Sequence, residues 1–221
     1  MARPVRRPRG PGPKRQGFTL VELLTVIIII GLLVGILVPT ISAVLKISDS
    51  AACKTRINAL ATGCSAYKTQ MGAYPGQRNL NADGSLPSFT GSNFETGSQW
   101  LAATMFVYGS TNAPISGYVT LAPDMLDIGG VITQRNNAIL DAFAKPMALL
   151  YYVSRPGKTG LDQYTAAQNA FLTPNTTNFQ ARITDARFGG GKPYKDGEFM
   201  IIGAGPDRIF FTEDDIESFN R

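Results

Sequence analysis

Hydrophobic positions fall into three regimes along this chain. From Phe18 to Leu45 they run almost unbroken, and the 23 residues from Leu23 to Leu45 carry no charge. That pattern predicts a helix without a polar face, long enough to meet the ~20 residues a membrane-crossing helix needs. After it polar residues enter, and a stripe remains at Cys53, Ile57, Leu60, Cys64, Tyr67 and Met71, spaced 4, 3, 4, 3, 4. This is one face of an amphipathic helix. Together the two stretches predict a single helix from about Thr19 to Gly72, about 80 Å long at ~1.5 Å per residue. Gly72 and the Tyr74-Pro75 pair end it, since neither glycine nor the residue before proline favours continuation. The third regime begins at Tyr74, where Gly, Asn, Ser, Thr and Pro separate short apolar runs. Residues 76–98 read as loop with a turn at Asp83-Gly84, and Gln99–Tyr108, holding Trp100, Leu101, Met105 and Val107, as a short helix. A second helix is expected near Thr133–Phe143. Ala148–Ser154 and Phe199–Ala204 read as strands by their aromatic and β-branched content. The polar stretch 155–193, with Gly189-Gly190-Gly191, reads as a mobile insertion.

Charge alters this picture less than the total suggests. The 221 residues sum to +5. However, the first 17 carry Arg3, Arg6, Arg7, Arg9, Lys14 and Arg15 and no acid, and the remainder sets 15 basic against 16 acidic side chains. A nucleic-acid-binding domain carries its positive charge on the folded part, so no nucleic-acid partner is expected. A basic flank followed by one long apolar run places the N-terminus in the cytoplasm and the rest outside. The chain has no histidine, which removes the Ser-His-Asp and Cys-His arrangements, His-ligated zinc and an imidazole base. Cys53 and Cys64 lie eleven residues apart on one helix, hence ~16 Å, too far for a disulfide that wants ~5.5 Å between Cα atoms. They are expected as small buried thiols.

A secretory signal peptide cut after Ala43 is the alternative reading of the apolar run. Two features oppose it: the run exceeds the usual ~7–15 residues, and Glu22 puts a charge where such a peptide has none. A carboxylate in a bilayer costs several kcal/mol unless partnered, so Glu22 asks for a function. A position near the headgroups at a helix N-terminus explains why it is tolerated, but not why it is there.

Gly17 followed by Phe18-Thr19-Leu20-Val21-Glu22-Leu23-Leu24 resembles the cleavage and methylation motif of type IV pilins and type II secretion pseudopilins. The resemblance implies that prepilin peptidase cuts between Gly17 and Phe18 and that the new Phe18 amine is N-methylated. It also implies that Glu22 meets the positive N-terminus of a neighbouring subunit during assembly. It further implies an α+β pilin-like ladle, a long N-terminal helix packed on a small C-terminal antiparallel β-sheet domain. The expected organisation is a cleaved basic leader (1–17), a membrane and filament-core helix (18–45), its amphipathic half (46–73) and a periplasmic globular domain (74–221). Gly31, Gly35 and Pro39 weaken the upper helix; in related filaments this region melts, so residues 31–39 either unwind in the polymer or simply kink at the proline.

Asp141-Ala142-Phe143-Ala144-Lys145-Pro146 with Leu150-Tyr151-Tyr152, and Gly203-Ala204-Gly205-Pro206-Asp207 through Asp214-Asp215-Ile216, are similar to the strand entry and calcium loop of the major pseudopilin. The likeness departs at Ala142 and Ala144, at Arg208 and Phe211, where the related loops often have glycine, and in the extra length at 76–140 and 155–193. Carried over, the calcium ligands are the side chains of Asp207, Asp214 and Asp215 with the carbonyls of Ala204 and Ile209. The alternative is a solvated acidic turn. Three functions follow. The first is a pseudopilin of a type II secretion-like machine, polymerising with itself and other pseudopilins on an inner-membrane assembly platform amid lipid. The second is a pilin for adhesion, motility or DNA uptake. The third, a membrane-tethered enzyme, is disfavoured because Asp162, Asp185 and Asp196 are scattered. Calcium favours the first, as does the lack of a C-terminal cysteine pair.

Overall fold

The computed structural model describes residues 17–86, 97–108, 114–115, 117–120, 125, 138–169 and 176–219. The chain divides into two compact units, Met1–Val44 and Leu45–Arg221. Helix α1 runs Leu20–Met71. In the first unit it is exposed at every described side chain, including Leu23, Ile28, Leu33 and Leu37, as its lack of a polar face predicts. Its backbone continues through Gly31, Gly35 and Pro39. At the far end Gly72 adopts φ +75° and its amide donates to the Lys68 carbonyl at 2.7 Å, a left-handed stop that glycine makes without steric cost.

In the second unit, the α1 stripe faces inward at Cys53, Ile57, Leu60 and Cys64, all fully buried. Tyr67 is only partly covered and Met71 is exposed, so the apolar face fails at the helix end, where the chain turns away. Helix α2 (Gly97–Met105) buries Trp100, Leu101 and Met105. It begins earlier than expected and stops before Val107, because β1 (Val107–Tyr108) pairs with β2 (Pro114–Ile115). The helix expected near Thr133–Phe143 does not form over 138–143, where Leu140 bridges Ala148 instead; residues 133–137 lie outside the described ones.

The main sheet is antiparallel, in the order β3 (Leu150–Val153), β4 (Phe199–Gly203), β5 (Ile216–Glu217), with Tyr151 opposite Ile201 and Ile202 opposite Glu217. Side chains alternate faces along a strand, and here both faces are buried. Tyr151, Val153, Phe199 and Ile201 join the α1 stripe, Leu101 and Met105 in one core. Leu150, Tyr152, Met200 and Ile202 pack on the other side against Tyr164, Phe179, Ile183 and Phe219. This second core overturns the expectation of a mobile insertion at 155–193. Its described part holds 3₁₀ turns at Gly160–Gln163, Ala166–Asn169 and Ala186–Phe188 and helix α3 (Thr176–Ile183). The segment is polar in sequence because it is a cover one layer thick. A few apolar side chains point down, and buried amides do the rest: Gln168 donates to the Val153 carbonyl and accepts from its amide, both at 2.9 Å.

Asn169 makes a similar clamp. It donates to the Tyr151 carbonyl at 2.8 Å and accepts from the Gly97 amide at 3.0 Å, seating the start of α2 on β3. A Cβ on Gly97 would lie 2.0 Å from the Tyr151 carbonyl oxygen, so only glycine fits. The architecture is α+β: a long N-terminal helix with a small antiparallel sheet, as in the pilin fold.

Candidate assembly and processing site

The N-terminal candidates sit together at the start of α1. Gly17 and Phe18 are exposed, and no atom lies within 4 Å of where a Gly17 Cβ would stand. Packing among the described residues therefore gives no reason for glycine here. Thr19 caps the helix. Glu22 Oε2 accepts from the Thr19 amide and hydroxyl, both at 2.8 Å, while the Glu22 amide lies 3.3 Å from the Thr19 hydroxyl. This reciprocal pair is a capping box, which satisfies two otherwise orphaned helix donors. The Thr-x-x-Glu spacing was legible in the sequence, yet Glu22 reads there as eased by the helix N-terminus and as meeting a neighbouring subunit, not as half of a capping box.

The two cysteines are free and buried. Burial is the main force pushing the Cys53 thiol up to about 11, with the Asp141 carboxylate adding to it, and burial raises Cys64 too. Neither is a reactive thiolate. Two of the three dispersed acids are engaged: Asp185 pairs with Arg187 at 2.6 Å and Asp196 accepts from Gln163 at 2.5 Å, while Asp162 is exposed.

The C-terminal loop carries the remaining candidates. Its turns place Arg208 at φ 63° and Phe211 at φ 68°, left-handed conformations costing roughly 1–2 kcal/mol for a residue with a Cβ. Both side chains offset that strain with contacts glycine could not make. Arg208 bonds the Asp141 carboxylate at 2.6 Å and the Lys145 carbonyl at 2.5 Å, and lies over the Phe143 ring, 4.9 Å from its centroid. Phe211 meets Phe179 edge to face at 5.7 Å. Asp141, buried, also accepts from the Phe143 and Met147 amides, which closes the turn leading into β3.

The five carried-over ligands do not form a calcium shell as arranged. Asp207 caps the Ile209 amide, and Asp214 takes the Asp207 amide and the Thr212 hydroxyl. The Asp215 side chain is fully buried and turned toward Arg182 of α3, Oδ2 to Nε 3.4 Å, with Glu217 on the same Nε at 2.6 Å. Burial pushes the Asp215 carboxyl up to about 6 against the pull of Arg182, so a proton also competes there. The Ala204 carbonyl lies 3.5 Å from the Arg208 guanidinium. An ion bound to that oxygen at ~2.4 Å would sit within ~6 Å of a positive charge, a repulsion of roughly 1 to 6 kcal/mol between water-like and protein-like dielectric. Among the described residues no three His, Cys, Asp or Glu side chains come together as metal ligands do. Sequence reasoning missed Arg182, because nothing in the local pattern links it to acids more than thirty residues on.

No curated protein and no solved structure matches the chain. Its N-terminal stretch does match a family model, the prokaryotic N-terminal methylation motif, over residues 12–38. With an exposed Gly17-Phe18 junction, a capped helix start at Glu22 and an apolar helix long enough to cross a membrane, the chain carries the N-terminal methylation motif of type IV pilins and pseudopilins.

Proposed function

We propose that this chain is a pseudopilin: a structural subunit of a type II secretion-like export machine, cut by prepilin peptidase between Gly17 and Phe18, methylated on Phe18 and polymerised through α1. One observation carries the reading. Every described side chain from Phe18 to Leu45 is exposed, behind a matching processing motif. That much apolar surface is stable only in lipid or against other copies. The basic leader ahead of it supports a cytoplasmic N-terminus and a periplasmic second unit.

Glu22 supports the assembly step. Both Thr19 bonds go to Oε2, and a carboxylate has about four acceptor sites, so Oε1 is available to a neighbour's Phe18 ammonium without uncapping the helix. In a low-dielectric bundle a mis-staggered subunit would leave both charges unpaired, which sets the axial register. The test is a deletion strain complemented with the wild-type chain. Loss of export of outer-membrane-crossing proteins supports the reading; intact export with loss of twitching, adhesion or DNA uptake assigns the chain to a type IV pilus instead. Mass analysis of the mature chain checks processing, and an intact leader would overturn it.

A further inference from the structure

We propose that two guanidinium groups, those of Arg182 and Arg208, take the place of a divalent cation in closing the C-terminal loop, which therefore folds without calcium. The acids of this loop have the spacing of a metal loop, but Asp207 and Asp214 bond amides and a hydroxyl of the loop itself, and Asp215 is turned toward a cation of the chain. Arg182 reaches from α3, 5% exposed, to Asp215 and Glu217. Glu217 lies on β5, whose partner is Gly203–Ile202 of β4, so this one side chain joins the cover of the sheet to its last strand. Arg208 works from within the loop. It ties the loop to Asp141 and to the Lys145 carbonyl, on the turn that enters β3.

The two arginines thus make the connections a bound ion would make, from loop to sheet and from loop to neighbouring turn. Arginine suits this because it keeps its charge when buried; Arg208 uses both terminal nitrogens of its fork, and Arg182 meets both acids at Nε. The left-handed backbone at Arg208 fits the same account. A position where glycine is the easy choice holds instead the residue that supplies the charge.

The test uses the full chain in detergent micelles, with calcium chloride or EGTA as the only variable, followed by unfolding midpoint and by proteolysis between Gly205 and Asp215. The same midpoint within about 1 °C and equal protection in both conditions are expected, since a ligand that does not bind the native state cannot stabilise it. A calcium-dependent rise of several degrees, or protection that EGTA abolishes, overturns the proposal. Arg182→Met keeps an unbranched apolar stem and removes the guanidinium charge; its midpoint is expected to fall by roughly 6–20 °C, with no recovery in calcium. An unchanged midpoint, or recovery in calcium, overturns it. Should that variant not fold, the wild-type calcium arm decides alone, and neither arm depends on whether the chain serves export or a pilus.

Discussion

Ile28 and Ile57 sit on the same helix in opposite circumstances. Ile28 is 60% exposed and Ile57 is fully buried, although both have the same backbone conformation and good helical neighbours. What separates them is company along the chain. Around Ile57, polar residues confine the apolar ones to a stripe that the sheet and α2 can cover. Around Ile28 there is no polar face, and no single domain could cover the helix on all sides. The upper half is therefore written for an environment that the chain does not contain, the lower half for one that it does.

The comparison can be broken in several ways. The largest effect is expected for Glu22→Ala: the protein is still cut after Gly17, but sheared-filament yield falls to near nothing, and a normal yield would show that the upper half assembles by apolar contact alone. Next comes Ile57→Ala, expected to cost about 2–5 kcal/mol of stability because it removes a buried side chain and leaves a cavity; thermal or denaturant unfolding in micelles measures it. Removing the buried amide with Gln168→Ala leaves the Val153 amide and carbonyl without their partner and should cost about 1–3 kcal/mol. Tyr151→Phe deletes the bond from the Tyr151 hydroxyl to the Pro75 carbonyl, 2.9 Å long, for about 1 kcal/mol. Ile28→Ala should shift the same midpoint by no more than ~0.5 kcal/mol. A loss there as large as at Ile57 would erase the distinction between the halves.

How much of this was legible in the sequence follows the same division. Long-period patterns carried well: α1 and its stop at Gly72, the stripe through Cys64, and the two longer strands, β3 and β4, were readable because each is set by residues close in sequence. The N-terminal methylation motif was readable for the same reason. Failures came where a distant layer decides. The segment 155–193 looked like polar loop because it needs only Tyr164, Phe179 and Ile183 to cover a sheet face, too few to make a periodic signal. The acidic loop reads as a metal loop in sequence, and the arginine closure proposed instead turns on Arg182, which lies on another element and leaves no local signal. Helicity expected near Thr133–Phe143 gave way over 138–143 to the bridge that starts β3, a tertiary override of local preference.

The thiols carry one last consequence. Cys53 and Cys64 are the only cysteines in the sequence, and both are sealed inside the second unit. Copies stacked as proposed would have no exposed thiol to join them, even in an oxidising compartment. In the proposed fibre, cohesion would then rest on non-covalent contacts, which can be undone and remade.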